Sequence, residues 1–201
     1  MGKIQKHHSL TGRITMKLMR QSFKSVKRNR GASGADKESI SMFEANLEEN
    51  LAALMRKLKT RGLFNPKPLR RVYIPKGNTR EKRALGIPAV RDRVAQEVVR
   101  RLPEPIFEPL FHENSYGFRP DRNCHQAIRK IRELKRQGYI YTLDADIKGF
   151  FDNIPHKLID KLIAERIADG NILGILNKFL KSGVMEDGRF ISTTKGRFVV
   201  M

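Results

Sequence analysis

The sequence predicts an α/β protein of the α+β kind: helix-rich, with one basic β-hairpin and a short further sheet. Apolar residues recur at helical spacing through most of the chain. Val72-Tyr73-Ile74 is a short β-branched and aromatic run followed by the turn formers Gly77-Asn78-Thr79, a hairpin pattern. Farther on, Ile140 to Ile147 is rich in β-branched and large apolar side chains and stops at Lys148-Gly149, which predicts a strand.

Taken in order, residues 1 to 35 hold nine Lys or Arg and no acid, with Leu10, Ile14, Leu18, Phe23 and Val26 near helical spacing. This is a basic amphipathic arm, either solvated or contacting RNA. The single sign of charge favours RNA, with Arg13, Lys17, Arg20, Lys24, Lys27 and Arg28 as the contacting cations. Gly31-Ala-Ser-Gly34 breaks that helix, and Ser41 with Glu44 forms a capping box for the next. Its inner stripe is Phe43, Leu47, Leu51, Leu54, Met55 and Leu58, and Gly62 is the stop.

From Arg56 to Arg83 there are eleven basic residues and one acid, Glu81, arranged around the hairpin. Asp92 opens a helix with Val94, Ala95, Val98, Val99 and Leu102 inward, and Pro103, Pro105 and Pro109 end it. Ser115-Tyr-Gly-Phe-Arg-Pro120 is an irregular turn presenting Arg119, with Tyr116 and Phe118 as core. Asn123 caps a helix with Ala127, Ile128, Ile131 and Leu134 inward, ended by Gly138.

Pro155 sits in the first turn of a helix with Leu158, Ile159, Leu162, Ile163 and Ile167 inward. Asp169-Gly170 breaks it, and Ile172, Ile175, Leu176, Phe179 and Leu180 stripe a successor. Glu186-Asp187-Gly188 is a hairpin turn between Val184 and Phe190-Ile191.

The formal net charge of +20 far exceeds what solubility needs, so polyanions, nucleic acid first, are the natural partner. A ribosomal or histone-like protein would carry the same excess, so charge alone says nothing of chemistry. The single cysteine, Cys124, excludes an internal disulfide and fits a reducing compartment such as the cytoplasm. Neither Cys124-His125 nor His7-His8 has partners at metal-ligand spacing; His7-His8 is expected in a solvated tail. No apolar run approaches the ~20 residues of a membrane span.

Alternation along the predicted strand puts Asp144 and Asp146 on one face, where like charges are costly unless a cation compensates them. Periodicity alone also fits a polar sheet face with Phe150-Phe151 as core. The whole string from Tyr141 to Ile154, Tyr-Thr-Leu-Asp-Ala-Asp-Ile-Lys-Gly-Phe-Phe-Asp-Asn-Ile, resembles the first palm motif of reverse transcriptases of group II introns and their bacterial relatives. The resemblance implies that Asp146 is catalytic and holds magnesium, and that Phe151 screens the sugar of the incoming nucleotide.

Arg70-Arg-Val-Tyr-Ile-Pro-Lys76, Arg83-Ala-Leu-Gly-Ile-Pro88 and Arg91-Asp-Arg93 resemble the fingers of the same enzymes. By that resemblance Arg70, Lys76 and Arg83 reach the nucleotide triphosphate, while Arg91 and Arg119 contact nucleic acid, Arg119 near the template. The motif order runs unbroken over roughly residues 10 to 196. It implies a basic arm over 1–35, fingers over 36–138 and a partial palm over 139–201 with an incomplete sheet.

The resemblance further implies RNA template, intron RNA, DNA primer and dNTP as partners, and two Mg2+ ions in the intact enzyme. The family's Tyr-x-Asp-Asp hairpin does not occur in this sequence, which follows Thr193-Thr-Lys-Gly196 with Arg197-Phe-Val-Val-Met201. The expectations are an incomplete metal site, an inactive isolated chain, and a sheet edge near Leu143 and Ile147 left for a second copy or a complementing chain. The alternative is a noncatalytic, maturase-like RNA-binding module.

Overall fold

A computed structural model describes residues 5–75, 77 and 82–196. The chain forms two compact units, one from the residues up to Pro103 together with those from Phe150 onward, the other Glu104–Gly149.

The first unit begins with a 3₁₀ turn, Thr11–Arg13, and helix α1, Met16–Asn29. Thr15 caps α1 by accepting the Leu18 N–H, and Arg30 and Gly31 at positive φ end it. Met19, Phe23 and Val26 are buried, and Phe23 stacks on Phe43 with centroids 5.6 Å apart. The basic segment is therefore built into the unit and does not extend as an arm, because burying each such apolar side chain is worth about 1.5–3 kcal/mol. His7, expected in a solvated tail, exchanges backbone hydrogen bonds with Arg166 and Ala168 in a parallel bridge to Ile167.

Helix α2, Ile40–Ala45, is capped by Ser39, which accepts the Met42 N–H. The cap is thus two residues before the expected Ser41, and a break at Asn46 separates α2 from α3, Leu47–Lys59. Leu51, Leu54 and Leu58 of α3 are buried as expected. Helix α4, Val90–Arg101, packs against α1 and buries Val94, Ala95, Val98 and Val99 as its spacing predicts.

Strands β1, Leu69–Pro75, and β2, Lys82–Ile87, form the expected antiparallel hairpin. Lys76, Asn78, Thr79 and Glu81 lie outside the described residues. The hairpin belongs to a four-stranded sheet of order β2-β1-β3-β4, completed by β3, Val184–Glu186, and β4, Arg189–Ile191. Asp187 and Gly188, both at positive φ, make the β3–β4 turn, the backbone that two-residue hairpins need. The parallel β1–β3 pairing, Leu69 opposite Val184, joins segments more than a hundred residues apart.

The second unit holds the short helix α5, Glu104–Phe107, a 3₁₀ turn, Glu108–Leu110, and α6, Cys124–Arg136. Asn123 and Gln126 form a full capping box on α6. Of its expected inward face Ala127 and Leu134 are half-buried, and Ile128 and Ile131 are exposed. The strand expected over Ile140–Ile147 is not formed, and Tyr141 and Leu143 are 94% and 93% exposed. Strand-forming side chains make a strand only where a neighbour accepts the ladder, and none pairs with this run among the described residues.

After it, in the first unit, come the single turn α7, Phe150–Asn153, then α8, His156–Ala164, and α9, Gly170–Leu180. Ile172, Ile175, Phe179 and Leu180 are buried, and Phe179 meets Phe64 at 5.3 Å between ring centroids. Leu158 and Leu162 of α8, expected inward, are exposed. Among the described residues no helix is long and apolar enough to cross a membrane.

Asp169 fixes the start of α9. Its carboxylate accepts the Asn171 and Ile172 N–H groups at 3.0 and 3.1 Å, and the Thr11 N–H and hydroxyl at 2.7 and 2.9 Å. Burial pushes its pKa up, but the hydrogen bonds from Thr11, Ile172 and Asn171 outweigh it and hold the carboxyl below its ordinary value. A depressed folded-state pKa contributes stability that is complete above the ordinary range near pH 4 and is lost as pH falls through the folded value. Asp169→Ala should cost about 1–3 kcal/mol in urea unfolding at neutral pH, with the gap to the unaltered chain closing below about pH 4.

Candidate nucleic-acid interface and catalytic segment

The hairpin register decides which cations share a face. Residues directly opposite in an antiparallel pair point the same way, so Arg70, Val72 and Ile74 of β1 share a face with Ile87, Leu85 and Arg83 of β2. Arg70 and Arg83 therefore lie on one face, four positions or roughly 13 Å apart along it. Arg83 is exposed, whereas Arg70 is anchored by its Nε, which donates to Ser33 O at 3.0 Å. A guanidinium held through Nε keeps the two terminal nitrogens of its fork for a ligand. On the other face, the Tyr73 hydroxyl donates to the Glu186 carboxylate and ties β1 to β3, which raises the phenol's pKa.

The loop that holds Arg70 is itself pinned. Arg93 donates to Arg30 O and Ala32 O at 3.4 and 2.8 Å, and Lys67 Nζ pairs with Asp36 at 3.0 Å. Asp92, buried in the first turn of α4, accepts the Lys67 N–H at 2.7 Å and Arg91 at 3.2 Å. Burial raises its pKa despite those donors. Arg91 also donates to Asn65 O and lies 5.9 Å over the Phe64 ring, so this sequence-predicted contact residue is held by its own fold.

On α1, Lys17, Arg20, Lys24, Lys27 and Arg28 follow three- and four-residue spacing, one exposed stripe opposite the buried Met19, Ser22, Phe23 and Val26. Between Lys17 and Arg28 the stripe runs roughly 16 Å. Arg20 makes a two-pronged contact with Glu48 at 2.8 and 2.7 Å, and Lys27 meets Glu44 at 2.5 Å. Exposed pairs of this kind are worth about 0–1 kcal/mol, so both cations exchange partners cheaply. Arg13, Lys17, Lys24 and Arg28 are exposed and have no ion pair among the described residues.

In the second unit Arg119 faces inward, its side chain 8% exposed. It bonds the Glu108 carboxylate at 2.8 and 2.7 Å, donates to His112 O and Ser115 O at 2.8 Å each, and stands 5.3 Å over the Phe111 ring. Phe118, expected in the core, is fully exposed at positive φ. Arg122, not singled out by the sequence, donates to Glu113 O and covers Tyr116 at 5.6 Å. Asp144 and Asp146 are exposed on the irregular segment before Lys148. In the first unit the Phe150 and Phe151 rings meet edge to face at 5.3 Å, both about half exposed.

Residues 74–199 match the family described as Reverse transcriptase (RNA-dependent DNA polymerase). The chain belongs to the reverse transcriptase family. Group II intron-encoded protein LtrA of Lactococcus lactis subsp. cremoris is 40% identical over 149 residues, 74% of this chain and 24% of that protein. Protein YkfC of Escherichia coli (strain K12) is 38% identical over 167 residues, 81% of this chain and 43% of that one. Nuclear intron maturase 1, mitochondrial, of Arabidopsis thaliana is 34% identical over 94 residues, 47% and 13% of the two. This reverse transcriptase chain thus spans about a quarter of LtrA and under half of YkfC.

Magnesium, which the family implies, needs several oxygen ligands at one point. Among the described residues of this reverse transcriptase chain no three His, Cys, Asp or Glu side chains gather closely enough to hold an ion. The described residues do not complete such a site.

Arg119→Ala leaves the Glu108 carboxylate and the carbonyls of Glu108, His112 and Ser115 without this donor. Amides of residues 108–122 should exchange at least about tenfold faster with deuterium, and Arg119→Lys should not restore them, because an ammonium lacks the fork.

Proposed function

We propose that this chain supplies the fingers and the first part of the palm of an RNA-directed DNA polymerase of the group II intron type. The observation that carries the reading is the match over residues 74–199, a range that includes Arg83, Asp146 and Phe151. In it, Arg70, Lys76 and Arg83 neutralise the triphosphate of an incoming dNTP, since phosphoryl transfer is catalysed mainly by positioning and charge. The shared face of Arg70 and Arg83 supports this. Phe151 screens the sugar, and the α1 stripe holds RNA, either template or structured intron RNA. Asp146 is one ligand of a magnesium centre that the complete enzyme finishes. Such an enzyme works in a bacterial cytoplasm or nucleoid.

A second reading is favoured by the +20 charge: the chain acts as a noncatalytic RNA-binding module, maturase-like in role. Two assays test these readings. On a primed RNA template with magnesium the isolated chain should incorporate no nucleotide; extension abolished by Asp146→Ala would place the chemistry in this chain after all. Binding to structured RNA should weaken steeply with salt, log K falling by about 0.9 per phosphate neutralised per log unit. Lys24→Ala should lower that slope by about 1, with similar losses on unrelated RNAs. A slope near zero would remove phosphate contact from the basic surface.

A further inference from the structure

His156 opens α8 and is buried, 5% exposed. Its Nε2 lies 3.0 Å from Gly196 O. A carbonyl oxygen only accepts, so Nε2 carries a proton, while Nδ1 is buried and without a partner among the described residues. Leucine would fill the same volume with less desolvation cost; what histidine adds is one directed bond.

That bond ends on a residue wedged against α7. Gly196 donates its N–H to Ile154 O at 3.0 Å, Pro155 and Lys195 form an antiparallel bridge, and Lys195 Nζ reaches Asn153 Oδ1 at 3.2 Å. Gly196 has φ +92°, and a Cβ there would stand 3.3 Å from Asp152 O. A side chain there would crowd that backbone and hold a φ that L residues rarely adopt. Helix α7 is four residues long, far too short to hold its shape alone, and it carries Phe150 and Phe151.

We propose that His156 is a positioning residue for Phe151: by gripping Gly196 it seats the Thr193–Gly196 segment under α7 and so fixes the ring that faces the nucleotide sugar. This rests on the sugar-screening role assigned to Phe151 above. His156 itself touches no substrate.

The test uses the whole chain with hydrogen exchange and aromatic NMR. His156→Gln keeps an N–H donor near the place of Nε2; His156→Asn places its amide near Nδ1 and loses the bond. In His156→Asn the Gly196 amide should exchange about five- to tenfold faster and the Phe150 and Phe151 ring resonances should shift. His156→Gln should restore both, with the Ile172 amide unchanged throughout as the measure of intact folding. If Asn and Gln behave alike, or Gly196 loosens while the rings stay put, the proposal is overturned and His156 only fills space. Where Ile172 loosens as well, Gly196→Ala decides: with His156 in place, the rings must still move. The sugar role is read separately by competition between dATP and ATP for the chain. Phe151→Ala leaving that preference unchanged removes the screening role and leaves the latch results standing.

Discussion

One carboxylate holds the first unit together across its interruption. Asp169 accepts two N–H groups of its own helix and two donors of Thr11, a residue 158 positions earlier. Backbone donors at a helix start need a partner in any case, so the carboxylate that satisfies them serves a second segment at little extra cost. Around it the chain's two stretches knit at further points: the bridge of His7 to Ile167, and the parallel run of Leu69 beside Val184. Without these, β1 and β2 would form an isolated two-stranded hairpin, which is marginal in water. The platform carrying Arg70 and Arg83 thus depends on residues far downstream.

The cations sort by what their nitrogens already do. Arg119 and Arg122 point at backbone carbonyls of their own loop and Arg93 at those of the segment after α1, where a fixed fork of donors settles irregular chain that has no ladder. Those of α1 project from a helix whose other face is core, and they meet at most a weak surface partner. Composition cannot distinguish the two groups, since both raise the net charge equally. Arg70 belongs to each: its Nε is anchored and its fork is not.

What the sequence disclosed was local chemistry. The Asn123 cap, the turn at Asp187-Gly188 and the buried stripe of α4 all follow from spacings of a few residues, and the structure has them where they were expected. Ser39 instead of Ser41 shows how neighbouring serines confuse a boundary, since either can cap. The segment from Ile140 to Ile147 failed for a different reason: β-branched side chains state a preference, and pairing needs a partner that no short window contains. The order of motifs made the family legible, while the inward turn of Arg119 and the bond from His156 to Gly196 are long-range or loop-borne and left no pattern to read.

The division of the first unit also sets an order of events during synthesis. Residues through Pro103 leave the ribosome before α9 and the two strands that complete their core and sheet, with β4 ending at Ile191. At about 5–20 residues per second the wait is on the order of ten seconds. Through that interval the faces later covered by Ile172, Phe179 and Val184 stand open on a strongly basic nascent chain. Its like charges repel other copies during this exposed stage, so the same excess of lysine and arginine that suits a polyanion also guards the half-made protein against aggregation.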